Sequence, residues 1–245
     1  MSSPRTVTFG SVIFVSLLAV YAFLALGSGM DRLSAQDPSR ASLVPEILSA
    51  QAAQAEAALA LAQSDYRGAE SHAIRALQAS PREPRVLGLL ASAQLLRGDT
   101  WAAHRGFSVA RSGGWRDPVT QSYWANDQLS RGKPQEAIRH LEALLRAQPY
   151  LAAGEQLLLA IAQDQSARTA LLERLKTHEP LATAVFAVEG TDLSSAVALR
   201  GELLLDPQME TQPYGCAIAG SVIEGLAERQ MSDRADAVAA QHCPI

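Results

Sequence analysis

Aromatic side chains are scarce in this chain, at 5% of its 245 residues, and Val and Ile thin out after residue 50. That leaves little to build a sheet from, whereas the abundant Ala, Leu, Gln, Arg and Glu all suit helices. Charge is sparse as well, at 19%, and a net charge of −4 offers no broad basic field of the kind that holds nucleic acid. Gly-rich phosphate loops, His-Glu-x-x-His zinc motifs and Gly-x-Ser-x-Gly nucleophile turns are all missing. Acidic residues such as Glu155, Glu173 and Glu202 are scattered as on solvated helical faces. The expectation is therefore an all-α protein that binds instead of catalysing, with no cofactor and no metal, and with an oligomeric state left open.

One stretch lacks charge altogether. Between Arg5 and Asp31 there is no charged side chain, and Phe9 to Leu26 is almost continuously apolar. As a helix rising 1.5 Å per residue, the run covers a hydrocarbon core of roughly 30 Å. A cleaved signal peptide is the competing reading, since Ala25, Gly27, Ser28 and Gly29 are small, but secretory apolar cores usually run about 7–15 residues. The expected layout is a short tail at 1–5, a transmembrane anchor at 6–28 and a flexible linker at 29–43. Basic residues flank both ends of the span, at Arg5 and at Arg32 and Arg40, so their count does not set orientation. A short N-terminal tail before a single apolar segment has the form of an export signal, which points to a single-pass inner-membrane protein with its C-terminal part in the periplasm.

Beyond the linker, small and apolar residues recur every 34 positions. Ala57, Ala91 and Ala125 form one series, Ala69, Ala103 and Ala137 a second, Ala76, Ala110 and Leu144 a third, and Leu61, Leu95 and Leu129 a fourth. Two antiparallel helices that pack closely need small side chains where they cross and bulk beside them. Ala57 and Ala69 are expected to meet across such a pair, with Ala73, Phe107 and Leu141 supplying bulk. The turns fall at 64–69, 98–103 and 132–137.

These residues resemble the tetratricopeptide repeat family. Ala57, Asp65, Tyr66, Ala69, Ala76 and Pro81 fit its pattern in the first unit, and Ala91, Gly98, Asp99, Ala103, Phe107 and Ala110 in the second. In the second unit Trp115 stands where Pro is expected, and Pro118 follows. Ala125, Gly132, Ala137 and Pro149 fit in the third, although Leu144 replaces a small residue and the family's large first-helix aromatic is absent from the first two units. A shorter fourth unit fits Leu151 to Pro180. The resemblance implies a helical-hairpin repeat solenoid over 44–180, with 181–245 as a helical cap. Within the cap, one helix is expected to start at Asp192 and stop at Asp206-Pro207, and two more to turn near Met231.

Cys216 and Cys243 are the only cysteines. An antiparallel hairpin turning at 229–231 brings them level, so a disulfide fits geometrically and an oxidising compartment follows from it. Two ordinary buried thiols are the alternative. His72, His104 and His140 read as surface or groove residues, and His178 as an exposed residue near a helix end.

In the tetratricopeptide family, ligands lie along a concave face built from the first helix of each pair. Carried over, that register gives Gln51, Gln54 and Ala58 in the first unit, Arg85, Ser92 and Leu95 in the second, and Ser122, Asn126 and Leu129 in the third. Gln54, Arg85, Ser92, Ser122 and Asn126 are the partner-binding candidates, suited to an extended peptide or a helix. Trp101, Trp115, Tyr123 and Trp124 form an aromatic group that serves either a partner contact or packing between units. The expected function is a membrane-anchored protein-interaction scaffold or assembly factor of the bacterial cell envelope. An accessory subunit of a polysaccharide or other envelope-biosynthesis complex is the alternative.

Overall fold

The structure is a computed structural model that describes residues 4–34, 36–45, 49–114, 116–148, 152–188, 192–209 and 215–243. Trp115 and Pro149, both used in the repeat pattern, lie outside the described residues, as do Leu151 and most of the loop before Gly215. Among the described residues there are thirteen α-helices and no strand. After α1 (Pro4–Ser34), the helices pair into successive antiparallel hairpins. The first helices, α2 (Ala50–Ala62), α4 (Pro84–Leu96), α6 (Pro118–Ser130) and α8 (Ala152–Gln163), start 34 residues apart. So do the second helices α3 (Tyr66–Ala79), α5 (Thr100–Ser112) and α7 (Pro134–Ala147), while α9 (Gln165–Thr177) begins three residues early.

The turn inside each of the first three hairpins is the same device. Ser64, Gly98 and Gly132 take positive φ of 62°, 90° and 66°, and the next amide reaches back to the preceding helix, from Asp65, Asp99 and Lys133 to the carbonyls of Ala60, Gln94 and Gln128. A left-handed residue with such a back-bond closes a helix and reverses the chain. The following helix starts on a carboxylate: Asp65 accepts from the Gly68 amide at 2.9 Å and Asp99 from the Ala102 amide at 3.0 Å. In the third hairpin Pro134 opens α7 without a side-chain cap.

The chain divides between Gly113 and Gly114 into two compact units, inside the stretch read as repeats. In the N-terminal unit the crossings are made of alanine. Ala57 packs in one cluster with Ala53, Ala73 and Ala76, and Ala69 in another with Ala60 and Ala93. Ala57 and Ala69, both fully buried, thus fall in different clusters of the crossing. The fourth series is not core throughout: Leu61 is half-buried and Leu95 is exposed.

Helix α1 from Val12 to Ser34 is long and apolar enough to cross a membrane. It does not stop where the linker is expected, but runs on past Gly27 and Gly29, and a 3-10 helix follows at Pro38–Leu43. The reason is tertiary. The buried Asp31 carboxylate accepts hydrogen bonds from the Ala52 amide at 2.8 Å and the Gln51 amide at 3.2 Å, while Ser49, in the N-cap position of α2, makes no side-chain cap bond. Asp31 supplies the cap from 20 residues upstream, stabilising the start of α2 by roughly 0.5–2 kcal/mol. Met30 packs beside it against Ala41, Val44 and Ala52.

In the C-terminal unit, α6 to α9 continue with α10 (Glu179–Phe186), α11 (Ser194–Leu204), α12 (Gly215–Glu228) and α13 (Ser232–His242) around a core of Leu, Ile, Val and Phe. The last hairpin turns at Gln230, φ 60°, with the Met231 amide bonded to the Leu226 carbonyl, which is the turn of the earlier hairpins again. Its ends hold Cys216 and Cys243 at disulfide distance, with Sγ atoms 2.05 Å and Cα atoms 4.7 Å apart. Asp192 does not cap α11, whose N-cap position is Leu193. Instead it lies 3.3 Å from the Arg200 guanidinium, which is also 3.3 Å from Glu155 and donates to the Val185 carbonyl at 2.7 Å. A guanidinium buried among two carboxylates and a carbonyl satisfies charges that would otherwise be expensive to desolvate.

Candidate interaction surface

Each first helix buries one side against its hairpin partner and leaves the other to solvent, so its 34-residue register sets which side chains share the outer face. Positions 54, 88 and 122 correspond, as do 58, 92 and 126. In the N-terminal unit α2 and α4 pack directly on one another. Gln54 is half-buried, Ala58 exposed, Arg85 exposed and Ser92 half-buried on these neighbouring helices. Gly88, at the position of Gln54, is buried and brings no side chain. Ser122 is half-buried and Asn126 exposed on α6 of the C-terminal unit. The five candidates therefore form two groups, Gln54, Arg85 and Ser92 in one unit and Ser122 and Asn126 in the other.

Two corresponding side chains do the same thing. The Ser92 hydroxyl donates to the Gly88 carbonyl at 2.9 Å, and the Asn126 amide donates to the Ser122 carbonyl at 2.9 Å. Such bonds to the carbonyl four residues back are weak competitors of the helix ladder. They hold a polar group on the outer face by one bond within its own helix, and a ligand that offers a better acceptor has only that weak bond to displace. Arg85 carries the positive charge of this surface.

Sequence reasoning missed the charged clusters that brace the hairpins. Glu56 on α2 lies 3.1 Å from His72 Nδ1 and pairs with Arg75, both on α3. Glu70 on α3 pairs with Arg97, just past the end of α4. In the C-terminal unit the buried Glu142 on α7 takes Arg146 at 2.5 Å, Arg174 at 3.0 Å and His178 at 3.0 Å. His178 stands at a helix end as expected, between α9 and α10, but is half-buried in this cluster and not exposed. His140 is drawn to the Gln121 side chain at 2.7 Å. The one signal available in the sequence was spacing: Glu56 and His72 lie eight residues either side of Ser64, as antiparallel neighbours must.

The aromatic group divides between the two units, and its Trp115 lies outside the described residues. Trp124 is buried in α6 with its ring edge-on to Tyr123 at 5.4 Å, and burial together with the Asp127 carboxylate pushes the Tyr123 hydroxyl above its usual pKa. Trp101, on α5 of the other unit, is 68% exposed.

Against known proteins, the sequence matches no family model and no curated protein. Among the described residues no three His, Cys, Asp or Glu side chains stand together as a set able to hold a metal ion. What the geometry offers is a pair of neighbouring helices with a shallow face of amide, hydroxyl, guanidinium and methyl groups, the chemistry that meets a peptide backbone with scattered apolar side chains.

Proposed function

We propose that this chain is a membrane-anchored scaffold of the bacterial cell envelope, built of tetratricopeptide-type hairpins, that holds a partner protein against its first helices. The observation that carries the reading is the 34-residue spacing of the helix starts, which repeats one outer face from hairpin to hairpin and sets Gln54, Arg85 and Ser92 on adjacent helices of one unit. Helix α1, with its side chains from Val12 to Leu26 outward, supports anchoring in the inner membrane. Cys216 and Cys243 at disulfide distance support a periplasmic position for the helical part, since such bonds persist in oxidising compartments. The partner takes the form of an extended segment or a helix, bound through backbone groups and small apolar contacts.

The test is co-purification from membranes of the full-length chain, wild type against Arg85→Glu and Ser92→Trp. Both substitutions fall on non-core positions, so the fold is expected to survive them. Loss of a partner retained by wild type supports the reading. Retention of every partner by both variants would sink it.

A further inference from the structure

The second helix of the second hairpin carries a surface that its counterparts do not. At the register position occupied by Arg67 in α3 and Gln135 in α7, α5 has Trp101. It is 68% exposed, the most exposed large apolar side chain outside α1 among the described residues. Arg105, one turn on, lays its guanidinium over the indole at 4.6 Å from the ring centre, and Val109, a further turn on, is 54% exposed. Trp101, Arg105 and Val109, four residues apart, run along one side of the helix.

Along this helix the charge has one sign. From Thr100 to Gly113 the sequence holds Arg105 and Arg111 and neither Asp nor Glu. Asp99, just before it, is spent capping the Ala102 amide. Arg75 on α3 pairs with Glu56 and Arg139 on α7 with Glu136, whereas among the described residues no carboxylate pairs with Arg105. An exposed indole is an unfavourable way to leave a large apolar surface, and Trp and Arg are the residues that concentrate binding energy at protein interfaces.

We propose that the exposed face of α5 is a second docking surface, which takes an acidic protein segment carrying an apolar anchor. A carboxylate of the partner meets Arg105, and an apolar side chain covers Trp101 and Val109. Complementary charge selects the partner and speeds its encounter. A second copy docking symmetrically through α5 would set Arg105 against Arg105, so the surface rejects its own image. The proposal does not depend on the first-helix surface, because α5 is the second helix of its hairpin and carries none of the residues assigned there.

The experiment places a photo-reactive amino acid at Val109 of the full-length chain in its own membranes, with a second probe at Ser71, exposed on α3, as reference. The expected adduct at Val109 is a polypeptide segment with an excess of Asp and Glu beside an apolar residue. Arg105→Glu lowers its yield about tenfold or more, the effect of losing a charge pair worth one decade of affinity, and Arg105→Lys keeps most of it. Trp101→Ala lowers it as well. Adducts only with lipid, with another copy of the chain or with a non-acidic segment overturn the proposal. So does a yield no greater than at Ser71, or one indifferent to Arg105→Glu.

Discussion

Among the described residues, twelve of the sixteen buried apolar side chains in the N-terminal unit are Ala, whereas the C-terminal unit has seven Ala and thirteen Leu among twenty-nine. The same hairpin is therefore held together in two ways. Alanine crossings bring helix backbones close and gain dispersion over many short contacts, while leucine crossings remove more apolar area from water per residue. Gly106 on α5 shows how tight the first kind is, since a Cβ there would come within 2.9 Å of the Ala91 methyl. Charge is divided as unevenly. The N-terminal unit has ten Lys and Arg to eight Asp and Glu, and the C-terminal unit eleven to seventeen. The acid-rich unit also buries more of its ions, at Asp117, Glu142, Glu155 and Arg200, against Asp31 in the N-terminal unit. A unit with a large leucine core can afford that desolvation, and the alanine-built unit keeps its pairs part-exposed at Glu56 and Glu70.

The sharpest way to break this comparison is at the buried charges. Arg200→Ala removes the cation shared by the buried Glu155 and by Asp192 and is expected to cost about 3–5 kcal/mol. Arg97→Ala, which opens a half-exposed pair, costs under about 1 kcal/mol. Denaturant unfolding of both variants checks the contrast, and equal costs contradict it. Leu144→Ala comes next. It installs the small residue that Ala76 and Ala110 supply in the other unit, yet the leucine is fully buried and packs in the larger core, so the loss is about 2–5 kcal/mol. If Leu144→Ala were neutral, the two cores would be interchangeable.

Removing the cross-link with Cys216→Ser and Cys243→Ser opens the loop it closes across a sequence separation of 27 and lowers stability by about 2–4 kcal/mol. Thermal melts followed by hydrogen exchange should place that loss in α12 and α13, with α2 to α5 unchanged. The reverse swap, Ala76→Leu, overfills an alanine crossing and is expected to cost about 1–3 kcal/mol. A gain in melting temperature would show spare volume there.

The smallest effect is on pH and is shared by both units. The Ser39 hydroxyl, followed by Arg40, holds the Asp37 carboxyl below its ordinary value of 3.8. The Ser166 hydroxyl, followed by the Ala167 amide, does the same for Asp164. A folded-state pKa that is depressed contributes stability above the unfolded value, lost as pH falls through the lowered one. Carboxyl titration by NMR should therefore give both groups midpoints below 3.8. Midpoints at or above that value contradict the hydrogen-bonded caps.

Much of this architecture was legible in the sequence, for a physical reason. Crossing positions such as Ala57, Ala91 and Ala125 are constrained by backbone approach, which leaves a period that one chain reveals by itself. The last hairpin was legible because a turn near Met231 fixes how far Cys216 and Cys243 stand from it. What escaped depends on partners remote in sequence. Nothing near Asp31 announces that it caps α2, and without that bond Gly27 and Gly29 do read as a helix end. Asp192 has the chemistry of a cap, and only the fold shows that Arg200 claims it. The candidate surface was legible as a register on the first helices, but not its division between two units, nor the hydrogen bonds that Ser92 and Asn126 return to their own helices.

The central claim, that the first helices hold a partner protein, is tested most directly by a photo-reactive residue at Ser92 in the full-length chain within its native membrane. The account predicts polypeptide adducts at Ser92 that disappear with Arg85→Glu while the fold is kept. Adducts no more abundant at Ser92 than at Ser71, or unchanged by Arg85→Glu, would contradict it.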